Sequence, residues 1–222
     1  MRHALLQEPG SYALSADLVA LENQVDAEGE AFRALRTHIM ARHVGEGRRA
    51  LAVCAATTGV GCSFVAANLA VALSQIGVKT LLIDANLRAP GIEQYFRPAG
   101  SLPGLQQCLS SRSASFGDWI QPEVLPDLSI LFSGGRASNP QELLASERFT
   151  DLMNFSLRDY DMTVLDTPPA SSCSDAHRVS TVAGYSVVVA RRNASLVNDV
   201  KILVSQLELN HARVIGTVMT EG

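Results

Sequence analysis

The chain has 222 residues, 47% hydrophobic and 18% charged, a composition that suits one compact globular domain with a sizeable core. Its net charge of -4 argues against a protein built to hold nucleic acid, because affinity for a phosphate backbone needs cations clustered over a face. Cys54, Cys62, Cys108 and Cys173 show no CxxC spacing, so neither a zinc site nor a disulfide framework is indicated and a reducing cytoplasm fits best, while no stretch approaches the ~20 apolar residues that span a bilayer.

In chain order, the first 26 residues are mixed in polarity, broken at Pro9-Gly10, and read as a partly flexible N-terminal arm with at most a turn of helix between Ser15 and Val25. From Ala27 to about His43, Phe32, Leu35 and Ile39 fall at i, i+3 and i+7, with Glu30, Arg33 and Arg36 elsewhere, which predicts a helix that Gly45 and Gly47 end. Strands and helices then alternate. "RALAVCAA" is the first strand, Ser63 to Gln75 a helix, "KTLLIDAN" and "LSILFS" the next strands, and Gln141 towards Leu157 one long helix. "MTVLDT" and "YSVVVAR" follow as strands, then a helix from Leu196 to Leu209 and a closing strand, "RVIGTVM". Near-continuous apolar strands interleaved with helices predict an α/β fold of three layers, a mostly parallel sheet covered by helices on both faces, within a single domain from 27 to 222. Such folds bind ligands at the carboxyl ends of their strands.

The segment "TTGVGCSF", Thr57 to Phe64, follows the first strand and opens a helix, the context that a phosphate-binding loop requires. In G-x-x-x-x-G-K-[ST], backbone N–H groups and the helix N-terminus cradle phosphates, the lysine reaches the terminal ones and the hydroxyl meets magnesium. Thr58, Gly59, Val60, Gly61, Cys62, Ser63 and Phe64 are therefore the candidate nucleotide contacts. Ala56 stands for the first glycine and Cys62 for the lysine. Taken alone, the fragment fits a ligand-free strand-to-helix turn equally well. Asp84 and Asp166 each end a strand, and with Ser63 they make a candidate magnesium site, although a strand-terminal aspartate also serves as an ordinary cap.

Four stretches resemble the cytoplasmic kinase domain of bacterial tyrosine kinases, the BY-kinases attached to polysaccharide co-polymerases, within the wider MinD/ParA group. "EAFRALRTHI" is similar to that family's E-x-x-R-x-x-R oligomerisation helix, with Glu30, Arg33 and Arg36 in place. "LLIDANLRAP" resembles its second acidic motif, "SNPQELLASERF" the segment before its long helix, and "VLDTPPASSCSDA" its Walker B strand and following loop. The resemblance implies a P-loop domain that takes Mg-ATP or Mg-ADP, a homo-oligomer, and a membrane-embedded co-polymerase of the chain-length-determinant type as partner. It also implies a cytoplasmic protein recruited to the inner face of the membrane, with no nucleic-acid partner.

All departures from the family pattern fall on chemistry. The loop lysine is Cys62, the MinD-branch signature lysine falls at Thr57, and the second aspartate of the acidic motif is Asn86. The family's tyrosine-rich tail has no counterpart before Gly222. Lys79 and Lys201 are the only lysines, one at the start of a strand and one on a late helix. Asp84, Asn86 and Arg88 thus form a degenerate catalytic set, in which Arg88 matches the family's arginine after the acidic pair. Two readings follow: a regulatory or scaffolding pseudokinase of exopolysaccharide or capsule synthesis, with weak nucleotide binding or none, and an active autokinase or ATPase that uses Arg88 or a partner's residue in place of the lysine. A partition ATPase fits poorly without the signature lysine. Cys62 is read either as a small residue tolerated once lysine was dispensable or as a redox-sensitive thiolate at a helix N-terminus.

Overall fold

The computed structural model describes residues 12–21, 27–42, 47–111 and 115–221. A seven-stranded sheet organises them. In chain order its strands are β2 (Ala50–Ala55), β3 (Thr80–Asp84), β5 (Gln121–Leu125), β6 (Leu128–Leu131), β7 (Met162–Asp166), β8 (Tyr185–Arg191) and β9 (Arg213–Thr220), lying side by side as β5-β6-β3-β7-β2-β8-β9. Every pairing is parallel except that of the edge strand β5 with β6. The strand containing Asp84 and the strand containing Asp166 are neighbours, in register at those two residues.

Alternation along β2 shows how the sheet is sandwiched. Leu51, Val53 and Ala55 pack into one core with α2 (Cys62–Ser74) and with Phe32 and Ile39 of α1 (Ala27–Arg42). Ala50, Ala52 and Cys54 face the opposite core. That second core is closed by α3 (Leu105–Ser110), α4 (Pro140–Ala145), α5 (Glu147–Asp159), α6 (Asp175–Ala183) and α7 (Val197–Leu209). The three-layer α/β architecture with a mostly parallel sheet is therefore the observed one.

Several details were not legible as elements. The long helix expected from Gln141 is two helices, because Ser146 takes an extended backbone (φ -66°, ψ 153°) and its hydroxyl accepts the N–H of Phe149, starting α5 afresh. A small second sheet pairs β1 (Tyr12–Leu14) antiparallel with β4 (Phe96–Pro98). The described part of the N-terminal segment also docks on α2. Leu18 and Ala20 are buried, and the wholly buried Asn68 accepts the Ala20 N–H and donates to the carbonyls of Asp17 and Phe64. The expected break at Pro9-Gly10 lies outside the described residues.

Candidate nucleotide-binding site

The loop between β2 and α2 is shaped by two left-handed glycines, Gly59 at φ 73° and Gly61 at φ 90°, a conformation that side-chain-bearing residues adopt only under strain. Gly61 is the N-cap of α2 and supplies no side-chain cap, so the first N–H groups of that helix face outward without an internal acceptor from the cap residue. Two contacts fix carbonyls of the loop, and a third ties the start of α2 to β2. Arg191 Nη1 donates to Gly59 O at 3.0 Å, Thr220 Oγ1 to Val60 O at 2.8 Å, and Cys62 Sγ to Val53 O at 3.1 Å. The chain after β7 crosses the base of the loop, where Ala170 N and Ser171 N donate to the carbonyls of Ala55 and Ala56.

Cys62 is thus turned inward, onto the backbone of β2, and does not reach over the loop. Burial pushes its thiol pKa well above the ordinary value, and the nearby Asp166 carboxylate pushes it further. Burial thus works against the thiolate that a helix N-terminus would favour.

The two strand-terminal aspartates have different tasks. Asp84 is wholly buried and its pKa is raised to about 6 by that burial, partly offset by backbone donors. Its Oδ1 accepts Asn86 N, and its Oδ2 accepts Gly91 N and Ile92 N, each at about 3 Å, so this carboxylate staples the 86–92 loop to the end of β3. Asn86 continues the same turn, its Oδ1 accepting Ala89 N at 3.1 Å. Asp166 is also wholly buried, and burial followed by the charge of Asp84 holds its pKa well above the carboxylate range. Its Oδ2 accepts from Ser63 Oγ at 2.5 Å, while its Oδ1 is buried with no hydrogen-bond partner.

That orphaned oxygen beside a serine hydroxyl suits a hard cation. Among the described residues no group of three His, Cys, Asp or Glu side chains could hold a metal alone. Magnesium, however, keeps waters and phosphate oxygens and needs only one or two protein ligands. Ser63 and Asp166 would hold it; Asp84, its oxygens already engaged, would act through the loop it staples. When bound, the ion would neutralise phosphate charge. A Cβ at Gly91 would collide with Ser63 Oγ, so a larger residue there would displace the serine hydroxyl from its place beside Asp166.

Arg88 does not stand over the phosphate loop. Its Nε and Nη2 grip both carboxylate oxygens of the buried Asp175, at 2.8 and 3.2 Å, at the start of α6. Of the predicted set, the structure brings together the loop residues 58–64, Asp84 and Asp166, and places Asn86 in the turn that Asp84 holds. Glu30 and Arg33 lie on α1, paired with one another at 2.7 Å, and Arg36 Nη1 donates to Ala72 O near the end of α2. Sequence reasoning overlooked Asp175, Gly91, Arg191 and Thr220. Asp175 lay within the quoted "SSCSDA", but nothing there signals its arginine partner.

The comparisons decide the family. The CobQ/CobB/MinD/ParA nucleotide binding domain matches residues 51–221. The tyrosine-protein kinase YwqD of Bacillus subtilis is 34% identical over 84% of this chain and 77% of its own length. The chain belongs to the bacterial tyrosine kinase family. Its other relatives include the putative tyrosine-protein kinase EpsB of Ralstonia solanacearum, 33% identical over 87% of this chain and 26% of that protein. The chain therefore spans about a quarter of the length of EpsB. Among solved structures, the kinase domain of the Escherichia coli tyrosine kinase ETK superposes with a TM-score of 0.84 at 29% identity, covering 92% of this chain and 79% of that one.

Proposed function

We propose that this chain is a degenerate, tyrosine-kinase-like regulatory or scaffold component of bacterial exopolysaccharide or capsule synthesis, which binds Mg-ATP or Mg-ADP weakly and without useful turnover. The observation that carries this reading is the inward thiol of Cys62, hydrogen-bonded to Val53 O at the place where a kinase of this family presents its lysine. Arg88 is no replacement while its guanidinium is forked onto Asp175. Losing one preorganised electrostatic group costs about 10²–10³ in rate. Exchanging a carboxylate for an amide, as at Asn86, costs on the order of 10²–10⁴ where that group organises metal or proton. A kinase of roughly 1–100 turnovers per second then slows to minutes or hours per event, even with the losses less than additive.

Binding is less affected, because the loop N–H groups and the Ser63–Asp166 pair remain. The family resemblance supports a membrane-embedded polysaccharide co-polymerase as partner and a homo-oligomer built through Glu30, Arg33 and Arg36. Among the described residues no helix is long and apolar enough to cross a membrane, so attachment to the inner face of the membrane would be through that partner. An active autokinase or ATPase is the second reading, supported by the orphaned Asp166 Oδ1 and requiring a cation from another chain.

Calorimetric titration of Mg-ATP and Mg-ADP, with phosphate release measured in parallel, tests the proposal on the native chain and on Cys62→Lys. The expected result is weak binding and no turnover by the native chain, with tighter binding by the variant. Sustained turnover by the native chain would transfer the argument to the second reading. Absence of nucleotide binding even in Cys62→Lys would leave only the scaffold role.

A further inference from the structure

Two successive carbonyls of the phosphate loop are tied to the ends of outer strands. Thr220, the last residue of β9, donates from Oγ1 to Val60 O at 2.8 Å, and Arg191, the last residue of β8, donates from Nη1 to Gly59 O at 3.0 Å. Both contacts lie on the carbonyl side of the loop, so their effect is on the orientation of its peptides. In a planar trans peptide the carbonyl and the following N–H point in opposite directions. Holding these carbonyls toward β8 and β9 therefore turns the N–H groups of Val60 and Gly61 the other way, and among the described residues neither N–H meets an acceptor. Successive N–H groups turned outward in this manner make an anion cradle.

Thr220 is itself held in place. It is the partner of Arg191 in the β8–β9 ladder, and Arg192 N donates to its carbonyl at 2.9 Å. Its methyl carbon lies 3.5 Å from the point that a Cβ on the left-handed Gly61 would take, so the side chain packs beside two consecutive residues of the loop. Its hydroxyl has one proton, and the other carbonyl within reach, Ala190 O, is farther away at 3.4 Å. A stretch with glycine at 59 and 61 has the freedom to turn its peptides over, and the bond to Val60 O opposes that. We infer that Thr220 is a positioning residue of the nucleotide site, which acts through the Val60–Gly61 peptide to present N–H groups to the phosphates of a nucleoside di- or triphosphate. This rests on the nucleotide-binding reading above and adds the residue that prepares the loop. With cysteine at position 62, backbone N–H groups carry more of the phosphate binding, and their preorganisation sets the affinity.

The test is calorimetric titration of Mg-ADP and of inorganic tripolyphosphate into the full chain, with a melting curve for every variant. Thr220→Val removes the hydroxyl and keeps the branched shape, whereas Thr220→Ser keeps the hydroxyl. Val218→Ala is the control, since it trims the same strand where the side chain packs against the core. The expected result is about tenfold weaker binding of both probes by Thr220→Val. Thr220→Ser recovers most of the affinity, and Val218→Ala melts at a lower temperature but binds as the native chain does. Native-like binding by Thr220→Val, a loss that Thr220→Ser fails to recover, or an equal loss in Val218→Ala overturns the inference while leaving nucleotide binding in place. Failure of the native chain to bind either probe overturns both.

Discussion

Asp84 and Asp166 meet across β3 and β7, both wholly buried, and the fold resists charging both. Each folded-state pKa lies above its unfolded value, so the stability these groups contribute is fully present below about pH 4. It is lost as the pH rises through about 6 for Asp84, and as it rises through the likewise raised pKa of Asp166. Asp166→Asn keeps an acceptor for Ser63 and removes one buried charge. In the ligand-free protein it should raise the melting temperature by a few degrees at pH 8 and by less at pH 5. Scanning calorimetry at both pH values measures this, and an equal shift at the two would exclude the charge as its cause. Cys62 makes a companion case. With its thiol held neutral by burial, alkylation by iodoacetamide at pH 7.5 should be slower than for an unhindered thiol. Rapid labelling would restore the redox-sensitive thiolate as a working idea.

Elements were legible where burial alone dictates the pattern. β2, β3 and β7 are buried at every residue, and such runs announce themselves in sequence as parallel strands between helices. What escaped was decided by single polar contacts. "LLASERF" reads as continuous helix until Ser146 spends its hydroxyl as a cap, and the nine residues of α6 lack the length that makes an apolar stripe conspicuous. The candidate site was legible as residue types at motif spacing, but not as bonds. Nothing in "LRAP" tells that Arg88 will fork onto Asp175, or that Arg191, over a hundred residues after the loop, will hold Gly59. The N-terminal segment depends on the same kind of contact, through the buried Asn68 of α2. Asn68→Ala leaves the Ala20 N–H without its buried acceptor, and should cost about 1–3 kcal/mol. It should also expose residues 15–21 to limited proteolysis before the rest of the domain unfolds. A uniform loss of stability with no early cut would mean that this segment and the sheet melt as one unit.

At the scale of the molecule, the remaining question is what α1 does on its outer side. Glu30, Arg33, Arg36 and Thr37 line an open depression of about 570 Å³ on this helix. Arg36 is partly committed, since its guanidinium holds Ala72 O, so a charge reversal there would disturb the α1–α2 packing as well as any contact between copies. Glu30 and Arg33 make the cleaner test, because an exposed pair three residues apart on one helix contributes only about 0.2–0.5 kcal/mol within its own chain. Glu30→Arg and Arg33→Glu should therefore leave the melting temperature nearly unchanged. If copies assemble with Glu30 of one protomer against an arginine of the next, each single reversal should shift sedimentation toward smaller species. The double reversal, which restores opposite charges across such a contact, should recover the larger species. An identical sedimentation profile for all three variants and the native chain would assign these charges to a solvated helix face. The oligomer would then have to be sought on another surface, such as the edge strand β9, where Met219 is 66% exposed.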